Sequence, residues 1–271
     1  MPVEMKLQHV PASRGATWVR QGFRAFALRP LAFMALLFTY TFVSLLLFQL
    51  PWIGLVALAC PPLLALVFMI GTQLALNGRI PTPALFAAPF RVSRAQSFAL
   101  AKLGVLFLLL SVGVVLLGHW ADGGSLVRAM GLMSRQENPA AQKELADLFV
   151  SPQLQFGVLL RFGLIAFLML LFAHASALVH WGAHGTAKSM FFSTVAVWRN
   201  KAAFVVYAVT GFLVQMGFSM LTSVLFAVAG PQIASLVMLV TSVVLATVFC
   251  TSLFFTFVDS FEASITPPAE S

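Results

Sequence analysis

Three histidines lie close together in the second half of the chain, at His174, His180 and His184. His180 and His184 are four residues apart, and this spacing places two imidazoles on one face of a helix. Such a group could hold a metal ion or a haem. However, Gly182 separates the pair and no carboxylate is close in sequence. Anchoring at a membrane surface explains the same residues, so we expect no metal and no cofactor, with ligation as the alternative.

The common catalytic patterns are missing from the sequence. There is no phosphate-binding Gly-Lys-Ser loop, no Gly-x-Ser-x-Gly elbow, no His-Glu-x-x-His and no Cys-x-x-Cys. Cys60 and Cys250 fall inside apolar segments and have no basic neighbour that would activate a thiol. Deep within the apolar segments there is no Asp, Glu, Lys or Arg, which argues against paired-carboxylate hydrolysis and proton-coupled transport. We therefore expect no catalytic residues and no enzymatic activity.

A line of polar side chains follows one apolar segment near the C-terminus, at Gln215, Ser219 and Thr222, with Ser223 beside them. The next segment continues it with Thr241, Ser242, Thr247, Thr251 and Ser252. These residues either line a pathway or allow two helices to pack closely and to form hydrogen bonds with each other. Packing is the commoner role of such hydroxyl groups in membranes, and a pathway is the alternative.

Arg161 is an ionisable residue about one turn inside an apolar segment. Charged residues within a membrane often belong to functional sites. Near a helix end, however, a long side chain can reach back to water, and we expect Arg161 to do so.

The composition is that of an integral membrane protein. Hydrophobic residues make up 60% of the chain and charged residues 9%, against roughly 45–50% and 25% in soluble domains. The net charge of +8 comes from basic residues beside the apolar segments, where anionic lipid headgroups account for them. We therefore exclude nucleic acid as a partner and expect membrane lipids instead.

Six apolar stretches are long enough to cross a bilayer, which predicts an all-α polytopic fold in a single integral membrane domain covering 1–271. The predicted spans are 31–50, 52–76, 100–117, 157–181, 202–228 and 233–258, with turns predicted at Pro51-Trp52 and at Gly230-Pro231. Cys60-Pro61-Pro62 removes two backbone donors from the second span, so it should kink or break there. The loop 119–156 should contain two short helices, the second capped by Asn138 with Pro139 at its first position.

The six spans group as three hairpins, each preceded by a basic amphipathic stretch that we expect to lie in the membrane interface. In the first stretch, 14–30, Val19, Phe23, Phe26 and Pro30 fall on one face and the arginines lie beside it. The third, 186–201, places Phe191, Val195 and Trp198 on one stripe. The basic residues predicted to contact lipid headgroups are Arg20, Arg24, Arg29, Arg91, Arg94, Lys188, Arg199 and Lys201.

The distribution of basic residues predicts the orientation. Twelve Lys and Arg lie on the side that holds the N-terminus and the connections 77–102 and 182–201, and four lie on the opposite side. By the positive-inside rule, both termini are expected in the cytoplasm and the loop 119–156 outside it.

The N-terminal segment VPASRGATWVRQGFRAFALRPLAFMALL, followed by six spans and one larger outer loop, resembles an uncharacterised family of six-span proteobacterial inner-membrane proteins. It is more distantly similar to the membrane domains of glycerophosphodiester phosphodiesterases. The residues that carry the resemblance are Trp18, Arg20, Gly22, Phe26, Pro30 and Phe33. The resemblance implies an inner-membrane location and this architecture. It implies no phosphodiesterase activity, because the chain lacks the catalytic domain and its acidic metal ligands.

These observations predict a non-enzymatic integral protein of the bacterial inner membrane. We expect it to act through lipid contact or as an accessory subunit of a membrane assembly, with a membrane-protein partner in the second case. A transporter or channel for a neutral or lipidic substrate is the alternative.

Overall fold

The computed structural model describes residues 4–50, 52–134 and 138–264, and this part of the chain is almost entirely α-helical. A short antiparallel pair of strands, β1 (Glu4–Leu7) and β2 (Phe261–Ser264), joins the two ends of the described chain. A 3-10 helix spans Pro83–Phe90. The α-helices are α1 (Arg14–Leu28), α2 (Pro30–Phe48), α3 (Gly54–Ala59), α4 (Pro61–Leu76), α5 (Arg94–Asp122), α6 (Ser125–Met133), α7 (Pro139–Phe149), α8 (Pro152–Phe172), α9 (Ala175–His180), α10 (Thr186–Arg199), α11 (Lys201–Ala229) and α12 (Pro231–Ser260).

Within the described residues, five helical segments are long and apolar enough to cross a membrane, which confirms a multi-pass helical protein. They are Pro30–Phe48, Arg94–Asp122, Pro152–His180, Lys201–Ala229 and Gln232–Ser260. The predicted span 52–76 is instead divided into α3 and α4, which meet at Cys60. This confirms the predicted break, because Pro61 and Pro62 have no N–H to continue the ladder of α3. Pro51, which we predicted to form the preceding turn with Trp52, lies outside the described residues.

The turn between the last two helices follows the sequence prediction. Helix α11 ends at Ala229, Gly230 adopts a φ of 84°, and Pro231 is the first residue of α12. Glycine reaches this positive φ without steric cost, and proline suits a first helical position because its missing N–H needs no partner there.

The chain divides into two compact units, Met1–Gly104 with Leu171–Ser271, and Val105–Leu170. In the first unit, α1 packs against both α11 and α12. Its buried residues are Gly15, Trp18, Val19, Gly22 and Ala25. Of the apolar stripe predicted to lie in the membrane interface, Val19 is buried, Phe23 and Phe26 are half-buried and Pro30 is exposed. Small residues face the neighbouring helices because they allow the backbones to approach closely.

Asp259, near the end of α12, holds the start of α1. Its carboxylate accepts hydrogen bonds from Arg14 Nε and Nη2, each 2.8 Å long, and from Trp18 Nε1 at 2.7 Å. Arg14 and Trp18 are four residues apart and therefore lie on the same face of α1. One carboxylate thus connects the first and last helices of the described chain.

The segment before α1 is held by Asn200, between α10 and α11. Asn200 is buried, its Oδ1 accepts from Val10 N at 2.9 Å, and its Nδ2 donates to Gln8 O at 3.1 Å. Together with the β1–β2 pair, which places Leu7 opposite Phe261, these bonds satisfy backbone groups that would otherwise be buried without partners.

The remaining helices of the first unit pack through apolar contacts and hydroxyl groups. Phe33 of α2 and Phe68 of α4 are fully buried, with stacked rings 6.2 Å apart. Thr72 Oγ1 donates to Phe68 O at 2.8 Å, and Ser176 Oγ donates to Pro62 O at 2.7 Å. The carbonyl of Pro62 thereby gains a partner in α9.

In the second unit, α6 and α7 form the two predicted short helices between α5 and α8. Asn138 Oδ1 accepts from Ala140 N at 2.9 Å and Pro139 is the first residue of α7, which confirms both parts of the predicted cap. The buried side chains are Ala129 of α6 and Ala141 of α7. Met130 and Met133 of α6 are exposed.

Because α1 approaches α12 closely, we expect one added methyl group on α1 to lower the stability of the folded protein. A Cβ at residue 22 would lie 2.7 Å from Ser252 Cβ and 2.8 Å from Val248 O. We expect Gly22→Ala to destabilise the folded protein by about 1–3 kcal/mol, since overpacking outweighs the helix propensity of alanine.

Thermal unfolding in mild detergent measures this effect. Gly217→Ala is the matched control, because that glycine lies in α11 with no atom within 4 Å of the added Cβ. Equal midpoints for the two variants would contradict the proposed constraint.

Candidate functional site

All eight basic residues predicted to contact headgroups are exposed, and all lie in the first compact unit. They occur on α1, at the starts of α2, α5 and α11, on α10 and, for Arg91, directly after the 3-10 helix. None of the eight forms an ion pair with a carboxylate of the described chain. Arg29 donates to the backbone oxygen of Gly78 at 3.2 Å. Their positive charge is therefore available to an external anion.

Aromatic rings accompany several basic side chains of this unit. Lys102 Nζ lies 4.5 Å from the centre of the Phe98 ring, and Lys201 Nζ lies 5.1 Å from that of Trp198. In α10 the buried residues are Ser189, Ser193, Ala196 and Val197, whereas Phe191 and Trp198 are 63% and 74% exposed. Rings paired with cations at a helix end are typical of side chains at lipid headgroup level.

The predicted polar line divides into two parts. Thr247, Thr251 and Ser252 are buried between helices, and Thr251 Oγ1 donates to Gly22 O at 3.2 Å. Gln215 and Ser219 are exposed and Thr222 is half-buried. These three line a groove of about 450 Å³ between α11 and α12, together with Ser223, Thr241 and Ser242.

Two hydroxyl groups of the groove donate hydrogen bonds within their own helix. Thr222 Oγ1 donates to Phe218 O and Ser223 Oγ to Ser219 O, each at 2.9 Å, while Gln215 Nε2 donates to Ser219 Oγ at 3.4 Å. Such bonds satisfy the hydroxyl protons in an apolar surrounding, whereas the long Gln215 bond leaves most of its amide free for another partner.

A second groove, of about 290 Å³, is almost entirely apolar. It lies between α2, the α3–α4 break and the 3-10 helix, with Tyr40, Cys60, Leu64 and Phe86 among its lining residues. Its size and lining suit a hydrocarbon chain rather than a polar solute.

The three histidines do not form a common site. Helix α9 ends at His180, and Ala183 has a φ of 50°, so His184 does not share a helix face with His180. His174 is fully buried, with Nε2 3.0 Å from Thr256 Oγ1. No group of three potential metal ligands occurs among residues 4–50, 52–134 and 138–264. The prediction that His180 and His184 lie on one helix face was wrong, because the helix ends at the Trp181–Gly182 turn before it reaches His184.

His180 and His184 instead contact aromatic rings near the ends of α9 and α10. The His180 ring centre lies 5.8 Å from that of Trp181, and the His184 ring centre lies 5.7 Å from that of Phe192. Burial, with a smaller contribution from Lys188, lowers the pKa of His184 below its usual range. This shift favours the neutral form of His184 over the charged form.

Arg161 forms an ion pair within the second unit, so the expectation that it reaches back to water was wrong. Its Nη1 donates to Asp122 Oδ2 at 2.6 Å, and the Asp122 side chain is fully buried. Asp122 Oδ1 also accepts from Gly124 N at 2.9 Å. Sequence reasoning missed Asp122 and Asp259. Both are acidic residues at the ends of long apolar segments, where a carboxylate usually needs a basic residue as its partner.

A protein from Burkholderia thailandensis, named Probable inner membrane protein BTH_II0599, is 31% identical to this chain over 257 residues. The match covers 93% of this chain and 93% of the relative. No family model matches the chain, and no solved structure matches it. These comparisons add no support to a relationship with glycerophosphodiester phosphodiesterases.

The ion pair of the second unit predicts an asymmetric mutational effect. Arg161→Gln removes the charge partner of Asp122, which keeps two backbone hydrogen bonds, so we expect a loss of about 1–3 kcal/mol of stability. Adding Asp122→Asn removes the unpaired charge and should restore part of that loss.

Chemical or thermal unfolding in detergent provides the comparison. Arg128→Gln is the control in the same unit, because the Arg128–Glu144 pair is largely exposed and should contribute less than about 1 kcal/mol. A single Arg161 variant as stable as this control would disprove a structural role for the buried pair.

Proposed function

We propose that this chain, which belongs to the inner-membrane protein family of its Burkholderia thailandensis relative, is a non-enzymatic multi-pass protein that acts through contact with anionic lipids. One observation carries the proposal. Eight exposed Lys and Arg lie in one compact unit without a carboxylate partner in the described chain. Basic residues at the surface of an anionic membrane each add to lipid attraction.

The surrounding structure supports lipid contact in two further ways. The exposed rings of Phe191 and Trp198 stand beside the basic residues of α10 and α11 and suit the boundary between headgroups and chains. The apolar groove beside Tyr40 and Cys60 is large enough for part of an acyl chain. Both features favour a protein whose ligand is the membrane itself or one of its components.

The proposal includes the six-span arrangement and its orientation. We propose that α3 and α4 together make the remaining crossing, so that six spans form three hairpins with interfacial basic stretches. Both termini and the eight basic residues then face the cytoplasm, and the α6–α7 segment faces the opposite side.

The groove between α11 and α12 favours a second candidate function. The Gln215 amide, whose bond to Ser219 is 3.4 Å long, and the hydroxyl lining could bind a polar side chain of a neighbouring transmembrane helix, as an accessory subunit requires. The same lining suits transport or conduction of a neutral or lipidic substrate. Both uses depend on Gln215, Ser219 and Thr222, and neither depends on the basic residues.

Neutralising the basic residues should weaken the preference for anionic lipid. For Arg20→Gln with Arg24→Gln we expect the preference for phosphatidylglycerol over phosphatidylcholine to fall roughly fivefold per charge at low salt. Spin-labelled lipids in reconstituted vesicles measure this preference by electron paramagnetic resonance.

Two control variants separate this function from its alternatives. Lys143→Gln removes an exposed charge from the second unit, and Gln215→Leu alters the groove. Neither should change the lipid preference. An unchanged preference in the double arginine variant would refute lipid contact through these residues.

The orientation predicts which positions a membrane-impermeant maleimide can reach. In a variant lacking Cys60 and Cys250, the exposed Ser134→Cys should be labelled in intact spheroplasts, because it follows α6. Ala187→Cys, an exposed position on α10, should be labelled only after lysis. The reverse pattern would invert the proposed topology.

A further inference from the structure

The groove between α11 and α12 contains a polar side chain at the middle of an apolar span. Gln215 is fourteen residues from both Lys201 and Ala229, the ends of α11, which is about 21 Å along the helix in each direction. A glutamine at this depth is too short to place its amide in water, as a long basic side chain near a helix end does. The side chain is nevertheless exposed on the surface of its own chain. Its surroundings in the membrane must therefore supply a partner.

The Gln215 amide is only partly satisfied by its own helix. Its Nε2 donates one hydrogen bond of 3.4 Å to Ser219 Oγ, and its Oε1 has no partner in the described chain. A polar group without hydrogen bonds is costly in hydrocarbon, where no water is present to replace them. A second polar group at the same depth would remove this cost.

The other half of the same helix pair shows how this fold covers polar side chains. Thr247, Thr251 and Ser252 of α12 are buried. Thr251 Oγ1 donates to Gly22 O of α1 at 3.2 Å, and Ser252 Oγ lies 2.6 Å from the Tyr207 hydroxyl. In that half a neighbouring helix therefore covers the polar face.

The groove half has no such covering helix in the described chain. All of its described lining residues belong to α11 and α12. Among the five long apolar segments of the described residues, α11 is the least covered, because none of its most apolar stretch is buried. The polar face that α1 covers at one end of the helix pair thus continues, uncovered, toward the Gly230 turn.

The uncovered face suits a close helical neighbour without charge. Gln215, Ser219 and Ser223 follow one another at intervals of four residues and therefore form one row along α11. The two serines are small, and small residues four apart allow membrane helices to approach closely. No described lining residue of the groove is charged. The partner must therefore present neutral polar groups that both donate and accept hydrogen bonds.

A second copy of this chain meets these requirements. Two copies with the same orientation in a membrane are related by a two-fold axis along the membrane normal, so each residue near the axis meets the same residue at the same depth. A side-chain amide has both donors and an acceptor, so two Gln215 side chains satisfy each other. Hydroxyl groups are also both donor and acceptor, which allows Ser219 to pair with its own equivalent.

We propose that the row Gln215, Ser219 and Ser223 on α11 binds a second copy of this chain and forms a parallel two-fold dimer. The two Gln215 amides bond to each other across the axis, and the serines allow the two α11 helices to approach. The inference goes beyond the proposed lipid contact and uses none of the eight basic residues. It shares only the membrane setting with that function.

Energy transfer between labelled copies in vesicles tests the proposal. The full chain, in a variant lacking Cys60 and Cys250, carries donor or acceptor dyes at Ser134→Cys. Transfer is measured in phosphatidylcholine vesicles, which contain no anionic lipid, as the lipid is diluted. We expect a dimer whose dissociation constant rises roughly tenfold in Gln215→Leu, because two amide hydrogen bonds are lost at the axis.

Two further variants of α11 provide matched controls. Gln215→Asn keeps an amide at the same depth and should retain most of the dimer. Val224→Leu changes an exposed position nine residues from Gln215, about two and a half turns away and so on the opposite face of the helix. It should leave the dissociation constant unchanged. A Gln215→Leu variant that dimerises as tightly as the unchanged chain would overturn the proposal.

Disulfide cross-linking locates the interface. In the variant lacking Cys60 and Cys250, Ser219→Cys should form a covalent dimer when the vesicles are oxidised, because the two copies of this residue lie beside the axis. Val224→Cys should remain monomeric. Equal cross-linking at the two positions would contradict the proposed face of α11.

The outcomes for the dimer and for lipid contact are independent. Absence of energy transfer at every dilution would overturn the dimer and leave the groove to a different helix or to a neutral solute. Arg20→Gln with Arg24→Gln should weaken the preference for phosphatidylglycerol without changing the dimer in phosphatidylcholine. Gln215→Leu should do the reverse, so failure of either proposal can be recognised without the other.

Discussion

The contact of α1 with α11 and α12 is the constraint on which the first compact unit depends. Gly15 and Gly22 allow the backbones to touch, and the Asp259 carboxylate then binds Arg14 and Trp18 at the end of the contact. Close packing between helices in a membrane relies on dispersion and hydrogen bonds, because lipid is as apolar as the side chains. A single carboxylate with three short bonds therefore contributes specificity that apolar surface does not provide.

This packing determines which side chains are exposed on the surface of the first compact unit and can contact the membrane. Once Trp18 and the small residues of α1, and the small residues of α10, face the protein, most of the basic residues on these two helices face outward. Arg20, Arg24, Lys188 and Trp198 are exposed for this reason. The basic surface proposed to contact lipid is thus a consequence of how the glycine, alanine and serine faces pack.

Ionisable residues near the ends of the apolar segments have different roles in the two units. Asp122 and Arg161 pair with each other and stabilise the second unit, and Asp259 and Arg14 do the same in the first. The eight exposed basic residues have no such partner in the described chain. Whether a charged side chain forms an ion pair therefore distinguishes the structural residues from those that are free to bind an external ligand. The position of the residue along its helix distinguishes them less clearly.

The sequence by itself determined the membrane class, the helices, the break at Cys60, the Asn138 cap and the turn at Gly230, because local chemistry controls each of these features. Proline removes a donor, a side-chain amide caps the adjacent helix, and long apolar runs exclude water. Only the tertiary structure decided which face of α1 is buried, that His184 is separated from His180, and that Asp122 and Asp259 find arginines 39 and 245 residues away. Those outcomes depend on which helices become neighbours, and helical periodicity does not specify a neighbour distant in sequence.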